Sequence, residues 1–150
     1  MAIYAALTSR ILPKPMAVVV KASSSAGKSY LLNSVLALIP PGEKVVKSGF
    51  SPKALAYGKE SLVHKVLAIQ EASGAGGAEG YAMLRTLISE GTLCYEVTEK
   101  HGDKFATRTV KREGPIAFAM TTTMTQLYGE DETRFLSISV ADSSEHTAKV

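Results

Sequence analysis

The 150-residue sequence has no tryptophan, one cysteine and three histidines. A single thiol, Cys94, excludes an internal disulfide framework and suits a reducing compartment, where it reads as a small apolar strand residue. His64 and His146 stand alone, and no His, Cys or acidic group has metal-ligand spacing, so a structural metal is not expected. The longest apolar runs, Met16 to Val20 and Ile116 to Met120, are about a quarter of the length that spans a bilayer. Charge of one sign is also scarce: 17 Lys and Arg against 14 Asp and Glu leave +3, which permits a polyanionic partner without demonstrating one. Met1 to Leu12 lacks the basic start of a signal peptide, and Ile3, Leu7 and Ile11 recur as on one helix face. The expectation is a cytoplasmic protein that opens with a helix.

What is present is an ordinary globular composition, 45% hydrophobic and 21% charged, at a length that suits one domain over residues 1–150. Pro13 and Pro15 end the first helix. The run from Met16 to Val20 then reads as a strand buried on both faces. After a polar loop, Tyr30, Leu31, Leu32, Val35, Leu36 and Ile39 predict an amphipathic helix that stops at Pro40. A strand follows at Lys44 to Lys47, and Ser51-Pro52 opens a short helix through Tyr57. Val66 to Ile69 is another buried strand. The glycines from Gly74 to Gly80 read as a flexible connection, before a helix marked by Tyr81, Leu84, Leu87 and Ile88 and closed by Gly91. Leu93 to Lys100 and Lys104 to Arg112 alternate as the arms of an antiparallel hairpin, with His101-Gly102-Asp103 as its turn. Ile116 to Met120 is a strand delivering Thr121-Thr122-Thr123, and Phe135 to Val140 a last strand. Strands alternating with helices predict an α/β fold: a three-layer sandwich with a mostly parallel sheet, ligands beyond the carboxyl ends of its strands, and an inserted β-hairpin.

The segment Ala22-Ser23-Ser24-Ser25-Ala26-Gly27-Lys28-Ser29 falls between the first strand and its helix without a gap. A loop of that kind turns successive N–H groups inward, adds the potential of a helix N-terminus, and supplies a Lys for phosphates and a hydroxyl for Mg²⁺. It therefore reads as a P-loop for a nucleoside triphosphate, with Ala22 in place of the usual first glycine; the alternative is a serine-rich turn. At the end of the Val66 strand, where a hydrolase needs an Asp for the Mg²⁺ shell and a Glu for water, stand Gln70 and Glu71. Gln70 can bond a metal-bound water but carries no charge, and Glu71 can equally cap the next loop. Thr122 or Thr123 suits a polar sensor beside the terminal phosphate, or is a plain strand end. Arg134 is placed to reach a neighbouring subunit's phosphate, or is a surface arginine. Lys100, His101 and Lys104 at the hairpin tip, with Lys111 and Arg112 on the return arm, suit phosphate contacts, although lysines also guard edge strands.

The series of phosphate loop, Gln-Glu strand end, inserted hairpin, Thr-Thr-Thr strand end and Arg-Phe before the last strand resembles an AAA+ ATPase core. The segments Leu84-Arg85-Thr86-Leu87-Ile88-Ser89-Glu90-Gly91, Glu113-Gly114-Pro115 and Arg134-Phe135-Leu136 are similar to the helicase half of phage and plasmid primase-helicase proteins, relatives of the superfamily three helicases. The resemblance covers nearly the whole chain, with Ala22 and Gln70 as departures from the pattern. It implies a ring-forming, DNA-translocating ATPase using ATP and Mg²⁺, with phosphate and Mg²⁺ at Lys28 and Ser29, Glu71 as base and Thr122 or Thr123 as first sensor. Arg134 is then the finger acting in trans, and Lys100 and His101 are the basic hairpin tip on DNA. Val150 precedes the lid helices and second sensor of that family. A rival of another class is a hydrolysis-impaired module that binds ATP only for assembly or to hold a partner. A small P-loop kinase is a weaker third, since the hairpin would have no purpose in it.

Overall fold

The structure, a computed structural model, describes residues 1–23, 27–71, 76–101, 104–124 and 133–140, with only the backbone of His101. Helix α1 (Ala2–Thr8) leads through a 3₁₀ turn, Ser9–Ile11, to strand β1 (Ala17–Lys21). Helix α2 (Lys28–Ala37) and β2 (Lys44–Lys47) follow, then α3 (Pro52–Tyr57), β3 (Lys65–Ile69) and α4 (Gly77–Glu90). The chain continues through β4 (Thr92–His101), β5 (Lys104–Glu113), β6 (Ile116–Thr122) and β7 (Leu136–Ser139). Five strands form one sheet in the order β2-β3-β6-β1-β7, and all four pairings are parallel. β4 and β5 make a separate antiparallel ribbon. The expected α/β architecture with a parallel sheet and an inserted hairpin is therefore present among the described residues.

Two apolar layers cover the sheet, and strand alternation decides which side chain enters which. Val18, Val20, Val66, Ala68, Ala117 and Ala119 face α1 and α2, where they meet Ile3, Leu7, Leu32 and Leu36. Val19, Leu67, Ile69, Ile116, Phe118 and Met120 face α3 and α4, against Leu55, Met83, Leu84 and Leu87. The first face carries alanines on the neighbouring strands β3 and β6 and valines on β1. The second carries the bulky residues. Both faces of β1, β3 and β6 are buried, which is why those strands read as unbroken apolar runs.

Four local readings need correction. Ile11 is 66% exposed, because the helix tightens into the 3₁₀ turn and leaves the 3.6-residue phase that Ile3 and Leu7 share. Tyr30 is 79% exposed and Ile39, though buried, lies beyond the last residue of α2. Gly77 and Gly80 belong to the first turn of α4 rather than to a connection. His101 continues β4, in register with Lys104, instead of forming part of the turn.

Candidate functional site

The centre of the candidate site is the carboxyl end of β1. β1 lies between β6 and β7, yet the chain leaves it for β2 at the far edge, and sheets bind ligands beyond their carboxyl ends at such a reversal. Ala22 N–H donates to Thr122 O at 3.2 Å and Val140 N–H to Lys21 O at 2.9 Å, so three strand ends are tied together here. A cleft of about 400 Å³ opens beside them, lined by Lys21, Ala22, Ser23, Thr123, Ser139 and Val140 among others.

Gly27 caps α2 with φ of 74°, a conformation that suits glycine, and the helix starts at Lys28. The Lys28 ammonium donates to Ala22 O at 2.9 Å and to Ser23 O, which sets a positive charge across the mouth of the loop. Ser29 is exposed on the same first turn. Ser24, Ser25 and Ala26 lie outside the described residues, so the cradle itself is not part of the described geometry.

Gln70 leaves β3 on the α2 side. Its Nε2 donates to Asn33 Oδ1 at 3.4 Å, and Thr121 Oγ1 donates to its carbonyl oxygen. Asn33 is four residues beyond Ser29, hence on the same face of α2. The structure thus brings Ser29, Asn33 and Gln70 to one side of the loop with no carboxylate among them. Glu71 is exposed, one residue further on. Thr122 is buried and its Oγ1 accepts from Met124 N–H at 3.0 Å, whereas Thr123 is exposed. Among the described residues no hydrogen bond joins Glu71 to either threonine.

Asn33 was missed by sequence reasoning, and Thr121, one of the three threonines at the strand end, was passed over for Thr122 or Thr123, though both had a signal. The spacing from Ser29 marks Asn33, and Thr121 continues the alternation of Ala117 and Ala119.

Arg134 is at the opposite, amino-terminal end of the strands. It precedes β7, whose Leu136 pairs with Val18 near the start of β1, and it donates to Ser89 Oγ near the end of α4. Phe135 is buried against Phe118, with ring centroids 5.7 Å apart, and this holds Arg134 at the amino-terminal edge. At ~3.3 Å per residue the strand puts roughly 15 Å between Arg134 and the loop of its own chain. A role for it at this chain's Lys28 is excluded.

The ribbon is docked by one face. Leu93 is buried, and Tyr95 and Val97 are half-buried. Tyr95 Oη donates to Glu79 Oε1 of α4 at 3.1 Å, and Arg108 lies 5.7 Å over the ring of Tyr57. Lys100 and Lys104 are exposed near the tip. The return arm departs from the expected phosphate contacts. Arg112 Nη1 donates to Gly58 O and, at 2.9 Å, to Glu60 O, while Lys111 pairs with Glu113 at 2.9 Å.

His64 serves structure. Its Nδ1 bonds Arg10 O at 2.8 Å, and Arg10 Nη1 donates to His64 O at 2.9 Å. Among the described residues no group of three His, Cys, Asp or Glu side chains is placed to hold a metal, and no helix is long and apolar enough to cross a membrane.

No family model and no curated protein matches the sequence. Among solved structures, the A form apo structure of the NrS-1 C-terminal region (305–718) is similar at 15% identity with a TM-score of 0.48. The likeness covers 89% of this chain and 32% of that one, so this chain spans about a third of the solved chain's length.

Proposed function

We propose that this chain is the ATP-binding and hydrolysing motor domain of a replicative DNA helicase of the primase-helicase type, working as a ring. The observation that carries the reading is Lys28, whose ammonium lies across the carbonyls of Ala22 and Ser23 at the carboxyl end of β1. A lysine opening a helix after a buried parallel strand is the P-loop arrangement, in an AAA+-like frame.

The donor set fits ATP better than it fits Mg²⁺. Lys28 and the first turn of α2 offer charge and N–H groups to phosphates. A hard divalent cation would find the Ser29 hydroxyl and the Gln70 amide, but no carboxylate between them. Bound ATP would supply the phosphoanhydride, and Mg²⁺ the neutralisation of its charge. Around it, Lys28 and Ser29 hold phosphate, Glu71 takes the proton of the attacking water, and Thr122 or Thr123 reads the terminal phosphate. Arg134 serves the neighbouring copy's phosphate, a role that its place at the amino-terminal end of β7 supports. Lys100, His101 and Lys104 contact DNA.

Steady-state ATP turnover of the wild type and Lys28→Ala, each with and without single-stranded DNA, tests this. Turnover stimulated by DNA and abolished in Lys28→Ala is expected; turnover unaffected by the substitution overturns it. Lys100→Ala with His101→Ala is expected to lose DNA affinity while ATP binding persists.

The bond from Gln70 to Asn33 favours a second reading, in which a neutral amide pair leaves nucleotide binding intact and turnover impaired. Gln70→Asp separates the two. A large gain in hydrolysis indicates an impaired site, and robust hydrolysis in the wild type that the substitution leaves unchanged rejects the second reading.

A further inference from the structure

The two faces of the ribbon differ in a way that assigns one of them to a partner. Cross-strand pairing places Cys94 opposite Lys111, Glu96 opposite Thr109, Thr98 opposite Thr107 and Lys100 opposite Phe105. All eight of these residues are exposed, because the alternate row carries Leu93, Tyr95 and Val97 toward the body of the protein. Phe105 is 73% exposed and is the large apolar side chain in a row otherwise made of threonines, ions and one thiol. Directly opposed residues of an antiparallel pair are close neighbours, so Phe105 and Lys100 are cross-strand neighbours on this face, one pair below the end of the ribbon.

Among the described side chains, the acidic groups sit lower on the ribbon, where Glu99 Oε1 lies 3.4 Å from Arg108 Nη2. Beyond Glu99 the described side chains are Lys100, Lys104 and Phe105. Among the described residues, neither lysine has an ion partner. A ring with an open face beside amines is the chemistry that holds a single-stranded polynucleotide, bases stacking on the ring and phosphates meeting the amines. In a duplex the base faces are already stacked on each other and are closed to Phe105.

We propose that Phe105 stacks on an unpaired base while Lys100, its cross-strand partner, takes the adjoining phosphate, so that the outer face of the ribbon selects single-stranded over double-stranded nucleic acid. This rests on the reading of the hairpin as a nucleic-acid contact and adds to it the residue that senses strandedness.

The chain has no tryptophan, so Phe105→Trp installs a sole indole at the proposed contact in the full chain. Its emission is expected to be quenched by oligo-dT and by oligo-rU, since stacking is indifferent to the sugar, and to change little with a blunt duplex. Phe105→Leu, which keeps an apolar side chain without a π face, is expected to weaken oligo-dT binding at least about fivefold, the lower bound of base–aromatic stacking. Phe105→Tyr retains affinity, and on an abasic oligomer the wild type and Phe105→Leu bind alike. Equal quenching by duplex, or oligo-dT binding that needs Lys100 but is unchanged in Phe105→Leu, overturns the stacking role and leaves the hairpin reading standing. A wild type that binds no oligonucleotide overturns both.

Discussion

Arg112 shows how a basic residue can be spent inside the protein. Its guanidinium holds the carbonyls of Gly58 and Glu60, and its Nε is buried without a hydrogen-bond partner. Burial lowers its pKa from the ordinary arginine value, and the nearby Glu60 charge opposes that shift. Both bonds leave the one nitrogen Nη1, which the rigid guanidinium plane holds in place and a lysine's flexible stem does not. Arg112→Lys is expected to cost about 1–3 kcal/mol, read from the urea midpoint, and a midpoint equal to wild type would show the guanidinium to be dispensable. Tyr95 makes a pH-dependent contact. Its pKa is raised, first by the hydrogen bond to Glu79, then by burial and by the charge of Glu79. The sign follows: this contribution is complete below about 10, the ordinary tyrosine value, and is lost as pH rises through the higher folded value. In a ring-carbon NMR titration Tyr95 is expected to ionise at higher pH than free tyrosine, and Glu79→Gln to bring it down. At this scale the sequence was legible where backbone pattern fixes a residue's place, as for Lys28. It was silent where long-range contact does, as for Arg112 meeting a loop more than fifty residues away.

Elements were legible according to how local their signals are. Ser51-Pro52 marked the start of α3, and Ser51 Oγ accepts from Ala54 N–H at 3.2 Å. Alternation and a short turn marked the ribbon. The start of α4 was not legible, since glycines signal flexibility in isolation and only tertiary packing shows that one of them, Gly76, is needed for space. Gly76 caps α4 at φ of 76°, and a Cβ there would lie 2.9 Å from Pro52 Cδ and 3.1 Å from Phe50 O. That approach sets α4 against the entry to α3. Gly76→Ala combines a disfavoured φ with a clash against the rigid Pro52 ring, so a loss above about 1 kcal/mol is expected. Gly42→Ala, where a Cβ would meet nothing within 4 Å, is expected to change the urea midpoint little.

For the whole molecule, the decisive geometry is that Lys28 and Arg134 lie at opposite ends of the neighbouring strands β1 and β7, Lys28 beyond the carboxyl end and Arg134 before the amino end. Copies of the chain must then complete one another's sites, if Arg134 serves catalysis. Lys28→Ala and Arg134→Ala are each expected to be inactive alone, and their mixture to recover part of the wild-type turnover, because each supplies what the other lacks. A mixture as inactive as its components would remove Arg134 from the reaction. Strand order and the layering of helices were legible only as a class, since period and length say that strands are buried without saying which lie side by side.

The alanines of the sheet have one more consequence. Ala68, Ala117 and Ala119 are fully buried in the layer that α1 and α2 cover, beside Val18 and Val20, so small side chains help to set the clearance beneath α2. Interiors packed to that density transmit displacement instead of absorbing it. The height of α2 above the sheet therefore also fixes where the Lys28 ammonium stands, and a change of one or two carbons in this seam would act as a gauge block under the phosphate loop. If the loop binds phosphate as proposed, nucleotide affinity is tunable from the core, through residues that touch no nucleotide.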